Sequence, residues 1–269
     1  MVKWRGFTIQ EVLVSMAIFS AMMIVLLVCL SQASTIWRRS SGLAVAQHQL
    51  ARASEALSLD LRRASWDELA AGPGPASLSA TPDGSAIWFL SPVDPATGQS
   101  LRKADGSPFW QCNILYYAVV PDLHDQTFGM SCAGGAGPNG LDDRCPHKVL
   151  VRKVIDSGPA TIPADETTEE TLLGAGPVAA YLTRPQGYDL SNLSAEPGVR
   201  SVELRGNSLL QLSFRRAPDP AVSDREVELD LRALIIPAAR RELAVGQVSL
   251  ADSAFTIRRL LSVFPQNGG

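Results

Sequence analysis

The sequence predicts an α+β protein: one long N-terminal helix, apolar in its first half and amphipathic in its second, packed on an antiparallel β-rich domain. Three observations carry this. Val12 to Ile36 contains no charged residue. The segment after it repeats apolar residues at helical spacing, and from residue 85 runs of β-branched and aromatic residues alternate with glycine and proline turns. The first seventy residues hold no proline and only Gly6 and Gly42 as glycines, whereas both types are frequent beyond them. The change falls at Ala71-Gly72-Pro73-Gly74-Pro75, which places a linker over 71–84 and the β-rich domain over 85–269.

The helix comes first. Val12 to Leu30 is 19 residues without a charge, and as a helix it reaches ~28 Å, close to a hydrocarbon core of ~30 Å. Residues 7–36 therefore read as a single membrane span. Glu11 stands at its mouth, where a carboxylate is costly and usually has a purpose. Further on, Leu43, Leu50, Leu57 and Ala64 recur every seven residues with Ala46, Ala53 and Leu61 nearby, and Gln47, Gln49, Arg52, Glu55 and Arg62 lie largely between them. Residues 37–70 become the amphipathic half of one unbroken helix from Phe7 to Leu69. Its stripe is suited to packing on the protein's own globular domain more than to a coiled-coil seam.

The residues before the span carry a motif. Lys3 and Arg5 precede Gly6 and Phe7, and Glu11 is the fifth residue after Gly6. This pattern resembles the processing and assembly signal of type IV prepilins and pseudopilins. The resemblance implies a leader over 1–6, cleavage after Gly6 by a prepilin peptidase, N-methylation of Phe7, and Glu11 as the assembly charge that meets a neighbouring subunit's α-amino group. The layout is most like a J-type minor pseudopilin, and is similar more loosely to the large prepilin-like proteins of verrucomicrobial multigene cassettes. It implies a structural subunit, neither enzyme nor cofactor protein, assembled at or near the tip of a type II secretion-like pseudopilus or type IV pilus-like filament. Its partners would be other pseudopilins or pilins through the N-terminal helix, the prepilin peptidase and the inner membrane. The alternatives are a membrane-anchored minor pilin acting as a binding or adhesion module, and a plain single-span anchored periplasmic protein. Localisation follows as inner membrane, single pass, with the C-terminal domain periplasmic. The motif sets this orientation, since Lys3 and Arg5 before the span nearly balance Arg38 and Arg39 after it.

Competing readings of the same segment fit less well. A secretory signal ending near Ser31-Gln32-Ala33 would need an apolar core of ~7–15 residues, shorter than this one, and gives Glu11 no role. A lipoprotein signal through Cys29 meets branched Val28 where a small residue belongs.

Strand signals run through Ala86–Leu90, Cys112–Val120, Lys148–Ile155, Val199–Leu204, Leu209–Arg215 and Arg225–Ile236, with Gly206-Asn207 as a hairpin turn between two of them. Val227, Leu229 and Leu231 alternate with Glu226, Glu228 and Asp230, so one face is buried and one wet, which predicts a half-exposed sheet. Ala254 to Phe264 fits a last strand or a short helix. Ile162 to Thr171 reads as an acidic surface loop with Glu169 and Glu170 solvated.

Charge and cysteines narrow the chemistry. A net charge of -3 and a pI near 5.7, with no basic-aromatic patch, predict no nucleic-acid partner. Cys29 lies in the span, and Cys112, Cys132 and Cys145 are the disulfide candidates, enough for one bridge and a spare thiol. A Cys132–Cys145 bridge would close a glycine-rich loop and contribute ~3 kcal/mol; Cys112–Cys132 is the other arrangement. His124, Cys132, Cys145 and His147 are the residue types of a tetrahedral zinc site, but their spacing matches no compact finger and disulfide formation competes for the sulfurs. Asn139, Asp142 and Asp143 suit calcium without fixing a ligand set. No metal site is assigned on these grounds. Gly129-Met130-Ser131-Cys132-Ala133 superficially resembles a nucleophile elbow, yet glycines and a proline follow where a helix is required. Gly134 to Gly140 lacks the lysine and Ser/Thr of a phosphate-binding loop.

Overall fold

The computed structural model describes residues 8–75, 84–124, 126, 145, 147–156, 161–162, 164–216, 225–235 and 256–266. Helix α1 spans Ile9–Arg63, 55 residues without a break, a rod of ~82 Å. Its end comes earlier than the expected Leu69. Ala64 leaves helical geometry at ψ 163° while its N–H still bonds the Leu61 carbonyl, and the Arg62 carbonyl accepts the Gln266 N–H at 3.2 Å. The C-terminal tail thus satisfies part of what a helix end leaves open. Phe7, the expected first residue of the helix, lies outside the described residues.

The two halves of α1 have different surroundings. Every residue from Thr8 to Ser41 is exposed, and the helix is long and apolar enough to cross a membrane. From Ala46 onward the stripe is buried: Ala46, Leu50, Ala53, Leu57 and Leu61 are at most 3% exposed. A fully buried leucine contributes ~1.5–3 kcal/mol, so these side chains hold the outer half to the domain. The stripe is a docking face for the chain's own sheet, with Leu43 left outside it.

That sheet has seven described strands in sequential order, each antiparallel to the next. They are β1 (Leu69–Gly72), β2 (Ala86–Ser91), β3 (Cys112–Val119), β4 (Lys148–Ile155), β5 (Val199–Arg216), β6 (Val227–Leu234) and β7 (Thr256–Val263). Strands β2, β3, β4 and β6 fall where the sequence places them, and Thr256–Val263 proves to be a strand paired with β6. Two expectations need correcting. Leu69–Gly72, placed at a helix end and linker start, pairs with Ala86–Phe89 as an edge strand. Gly206-Asn207 is no hairpin turn: Val199–Arg216 is one continuous strand that pairs with β4 through register shifts. Gly206 is instead where α1 crosses β5, and a Cβ there would lie 3.0 Å from the Ala53 Cβ.

The sheet separates two apolar layers. On one face α1 packs over Ile87, Phe89, Ile114, Tyr116, Leu150, Leu212, Phe214 and Leu229. The other face of the first strands is covered by the 172–204 region, where Val178 and Leu193 from the short helices Ala175–Ala179 and Ser191–Ser194 meet Trp88, Leu115, Tyr117 and Val151. Strands β2 and β3 are therefore buried along their whole length, which corrects the half-exposed expectation for this part. The wet face appears across β5 to β7, where Glu228 on β6 pairs with Arg215 on β5, and Asp230 pairs with Arg232 and with Arg258 on β7.

Three charged side chains inside these layers, Asp60, Arg152 and Lys153, are paired. The Asp60 carboxylate on α1 accepts the Tyr116 hydroxyl at 2.7 Å and Arg152 Nε at 2.6 Å, fixing helix rotation against the sheet. Lys153, 0% exposed, donates to the Tyr181 carbonyl, Thr183 Oγ1 and Glu196 Oε2 at 2.8, 3.0 and 2.6 Å. Burial pulls Lys153 below the ordinary lysine range, with the Glu196 hydrogen bond and charge opposing. The Ile162–Thr171 loop also departs from expectation. Glu170 is 5% exposed and accepts Asn113 Nδ2, while Glu169 accepts the Trp110 N–H at 2.8 Å and pairs with Lys103. These acids tie a loop down because it folds over the end of β3, a neighbour that local composition does not reveal.

Candidate functional site

The free end of α1 is the first candidate. Thr8 is the N-cap: the Glu11 N–H donates to its Oγ1 at 3.3 Å, and the Glu11 carboxylate accepts the Thr8 N–H at 2.8 Å and hydroxyl at 2.9 Å. This reciprocal capping satisfies donors that a helix start leaves open, and puts a negative charge at the positive end of the helix dipole. Glu11 is the one charged side chain between Thr8 and Trp37. Along the bare half, the Ser20 and Thr35 hydroxyls turn back to the Met16 and Ser31 carbonyls at 2.8 and 3.0 Å, so neither needs an outside partner in an apolar medium. Gly6 and Phe7, the expected cleavage and methylation positions, lie outside the described residues.

The second candidate is the mouth of the β3–β4 connection. Val119 on β3 stands opposite Val149 on β4, so the chain leaving one strand and the chain entering the other depart from the sheet together. His124, Cys145 and His147 converge there, with their ligand-type atoms all within 4.8 Å of one another. The histidine rings lie 5.5 Å apart at 48°. His124 Nδ1 is 3.2 Å from the Pro121 carbonyl; the oxygen only accepts, so Nδ1 is the donor in this contact. His147 is 1% exposed, and burial, with His124 and Lys148 adding to it, pulls it down to about 4. It is neutral at ordinary pH.

The backbone of this mouth is held from several directions. Lys148 Nζ donates to the Cys145 carbonyl at 3.0 Å and to the Leu210 carbonyl at 2.7 Å. The Asp122 N–H donates to the Pro185 carbonyl and its carbonyl accepts the Gly187 N–H, at 2.9 and 2.8 Å. Between them Leu123 takes φ +58°, a left-handed conformation that costs a non-glycine residue ~1–2 kcal/mol.

The cysteines sort accordingly. Cys145 is disulfide-bonded, Cys112 and Cys29 are free, and Cys132 lies outside the described residues. Cys112 is the spare thiol: its Sγ faces the Val93 carbonyl at 3.8 Å, and burial pushes its thiol up to about 12, which leaves it protonated and unreactive. The expected calcium ligands Asn139, Asp142 and Asp143, and the Gly129–Ala133 and Gly134–Gly140 runs, also lie outside the described residues. Sequence reasoning singled out His124, Cys145 and His147 as residue types; their signal for proximity was the strand register on either side. It missed Asp60 on α1 and the adjacent Arg152 and Lys153 on β4, because a charged residue in a helix or strand reads as solvent-facing until its distant partners are known. No family model, curated protein or solved structure matches the chain.

Proposed function

We propose that this chain is a minor pseudopilin-like structural subunit, processed by a prepilin peptidase and assembled into a type II secretion-like pseudopilus or a type IV pilus-like filament, at or near its tip. The observation that carries the reading is the contrast along α1. Residues 8–41 are exposed on a rod whose other half is locked to the domain, and a bare apolar rod needs either lipid or other copies of such a rod around it. Both environments bury the same side chains, so the helix passes from bilayer to filament core without refolding. In the single subunit Thr8 gives the Glu11 carboxylate its hydrogen bonds; in the filament a neighbour's α-amino group, freed by cleavage after Gly6, competes for that carboxylate. The domain then faces the periplasm from the inner membrane, and no catalytic step is required of it.

N-terminal mass spectrometry of the mature protein, purified from its host, tests this. The expected result is a chain starting at methylated Phe7. A chain starting at Ser34, or one retaining Met1, overturns the proposal.

A further inference from the structure

We propose that His124, Cys145 and His147 form a zinc site that is closed while Cys145 is disulfide-bonded and opens when a dithiol reduces that bond. The geometry carries the inference. Tetrahedral zinc with Zn–N of ~2.0–2.1 Å and Zn–S of ~2.3 Å spaces its ligand atoms about 3.3–3.8 Å apart. The three ligand atoms here already lie within 4.8 Å of one another, so small side-chain movements bring them to bonding distance. Two imidazole nitrogens and a thiolate are the donor set zinc favours among divalent ions.

The surroundings supply the outer shell such a site needs. A zinc-bound histidine usually donates its second ring N–H to a carbonyl or carboxylate, which fixes the tautomer and the ring. His124 does this to the Pro121 carbonyl at 3.2 Å. Leu123, at φ +58°, holds a strained turn immediately before His124, and strain of this kind collects where a side chain must be aimed. Lys148 clamps the Cys145 carbonyl at 3.0 Å, so the sulfur's backbone stays in place when the disulfide opens. His147, 1% exposed, and Cys145, 0% exposed, supply the buried side of the site.

The chemistry balances. The dithiol gives up two electrons and two protons and becomes a disulfide, while the Cys145 disulfide becomes two thiols. Zinc then displaces the Cys145 thiol proton to water and binds the thiolate. The fourth position is filled by water. A disulfide sulfur has no thiolate charge to offer, so bridge and metal exclude one another. This inference stands independently of the pilin-like reading.

The test uses the full chain in detergent, reduced with a dithiol, freed of it under argon and titrated with Co2+. The expected result is binding of one equivalent, with the visible bands of tetrahedral cobalt, a thiolate-to-cobalt charge-transfer band, and displacement by Zn2+; the oxidised chain shows none of these. Because His147 sits in the core, the decisive variant is His124→Ala at a half-buried position, which weakens Co2+ binding at least about ten-fold. Three results each overturn the proposal: no stoichiometric binding by the reduced chain, equal binding by the oxidised chain, or unchanged affinity in His124→Ala.

Discussion

At the scale of single residues, Gly206 shows how one position sets the distance between helix and sheet. A Cβ at this position would lie 3.0 Å from the Ala53 Cβ and 3.6 Å from the Gln49 carbonyl oxygen. Next to it the Asn207 N–H donates to Gln49 Oε1 at 3.2 Å, and Ser208 takes φ +56°. The glycine is a notch into which α1 settles while the strand is locally irregular. Gly206→Val is expected to lift the helix from β5 and cost ~1–3 kcal/mol, as overpacking does, read by urea denaturation of the purified chain. Stability within error of the parent would mean that the helix shifts freely, and would remove the notch argument. Asparagine after glycine signals a tight turn by local rules, and that is how the sequence reads. What decides otherwise is the Ala53 surface opposite, far away in the chain, so no local rule could have found it.

Among elements, legibility follows the number of faces a strand buries. In β6 Val227, Leu229 and Leu231 are buried while Glu228 and Asp230 alternate with them, and a period of two is visible without knowing the neighbours. Strands β2 and β3 are buried on both faces, and the covering segment shows little periodicity, so its presence was hidden. Strand β1 was missed because Leu-Ala-Ala-Gly has no β-branched or aromatic residue. The His124–Cys145–His147 mouth was legible in composition, but its convergence depends on the β3–β4 register. The wet ladder of β6 has a measurable consequence. Burial pushes Asp230 up, but hydrogen bonds from Arg258 and Arg232 outweigh it and hold the carboxyl below its usual range. A carboxylate depressed in the folded state adds stability above its unfolded pKa of ~3.9, and loses it as pH falls through the lower folded value. Asp230→Asn is therefore expected to be destabilised by about 1 kcal/mol at pH 7, with the difference from the parent shrinking below pH ~4. Urea unfolding at both pH values reads it; a gap that is the same at both would show that the arginines do not act through the charge.

For the whole molecule, α1 belongs to two different structures, and the boundary lies between Ser41, the last residue of the exposed stretch, and Ala46, the first buried one. A stripe formed by Ala46, Leu50, Ala53, Leu57 and Leu61 completes the core over the sheet, whereas nothing before Ser41 touches it closely enough to be buried. Deleting residues 1–40 is expected to give a water-soluble domain whose unfolding free energy stays within about 1 kcal/mol of the full chain in detergent, since every described residue of that stretch is exposed. Deleting residues 1–56 is expected to abolish cooperative unfolding. That cut removes Ala46, Leu50 and Ala53 and uncovers the apolar face of β5 and β6. One buried leucine alone accounts for ~1.5–3 kcal/mol, against total stabilities of ~5–15 kcal/mol. Circular dichroism with urea and size-exclusion chromatography distinguish the two truncations. If the shorter deletion aggregates or loses its transition, the bare half of α1 supports the domain in a way its exposure does not reveal. If the longer deletion unfolds like the parent, the sheet and its second layer suffice, and the outer half of α1 serves only to carry its apolar half.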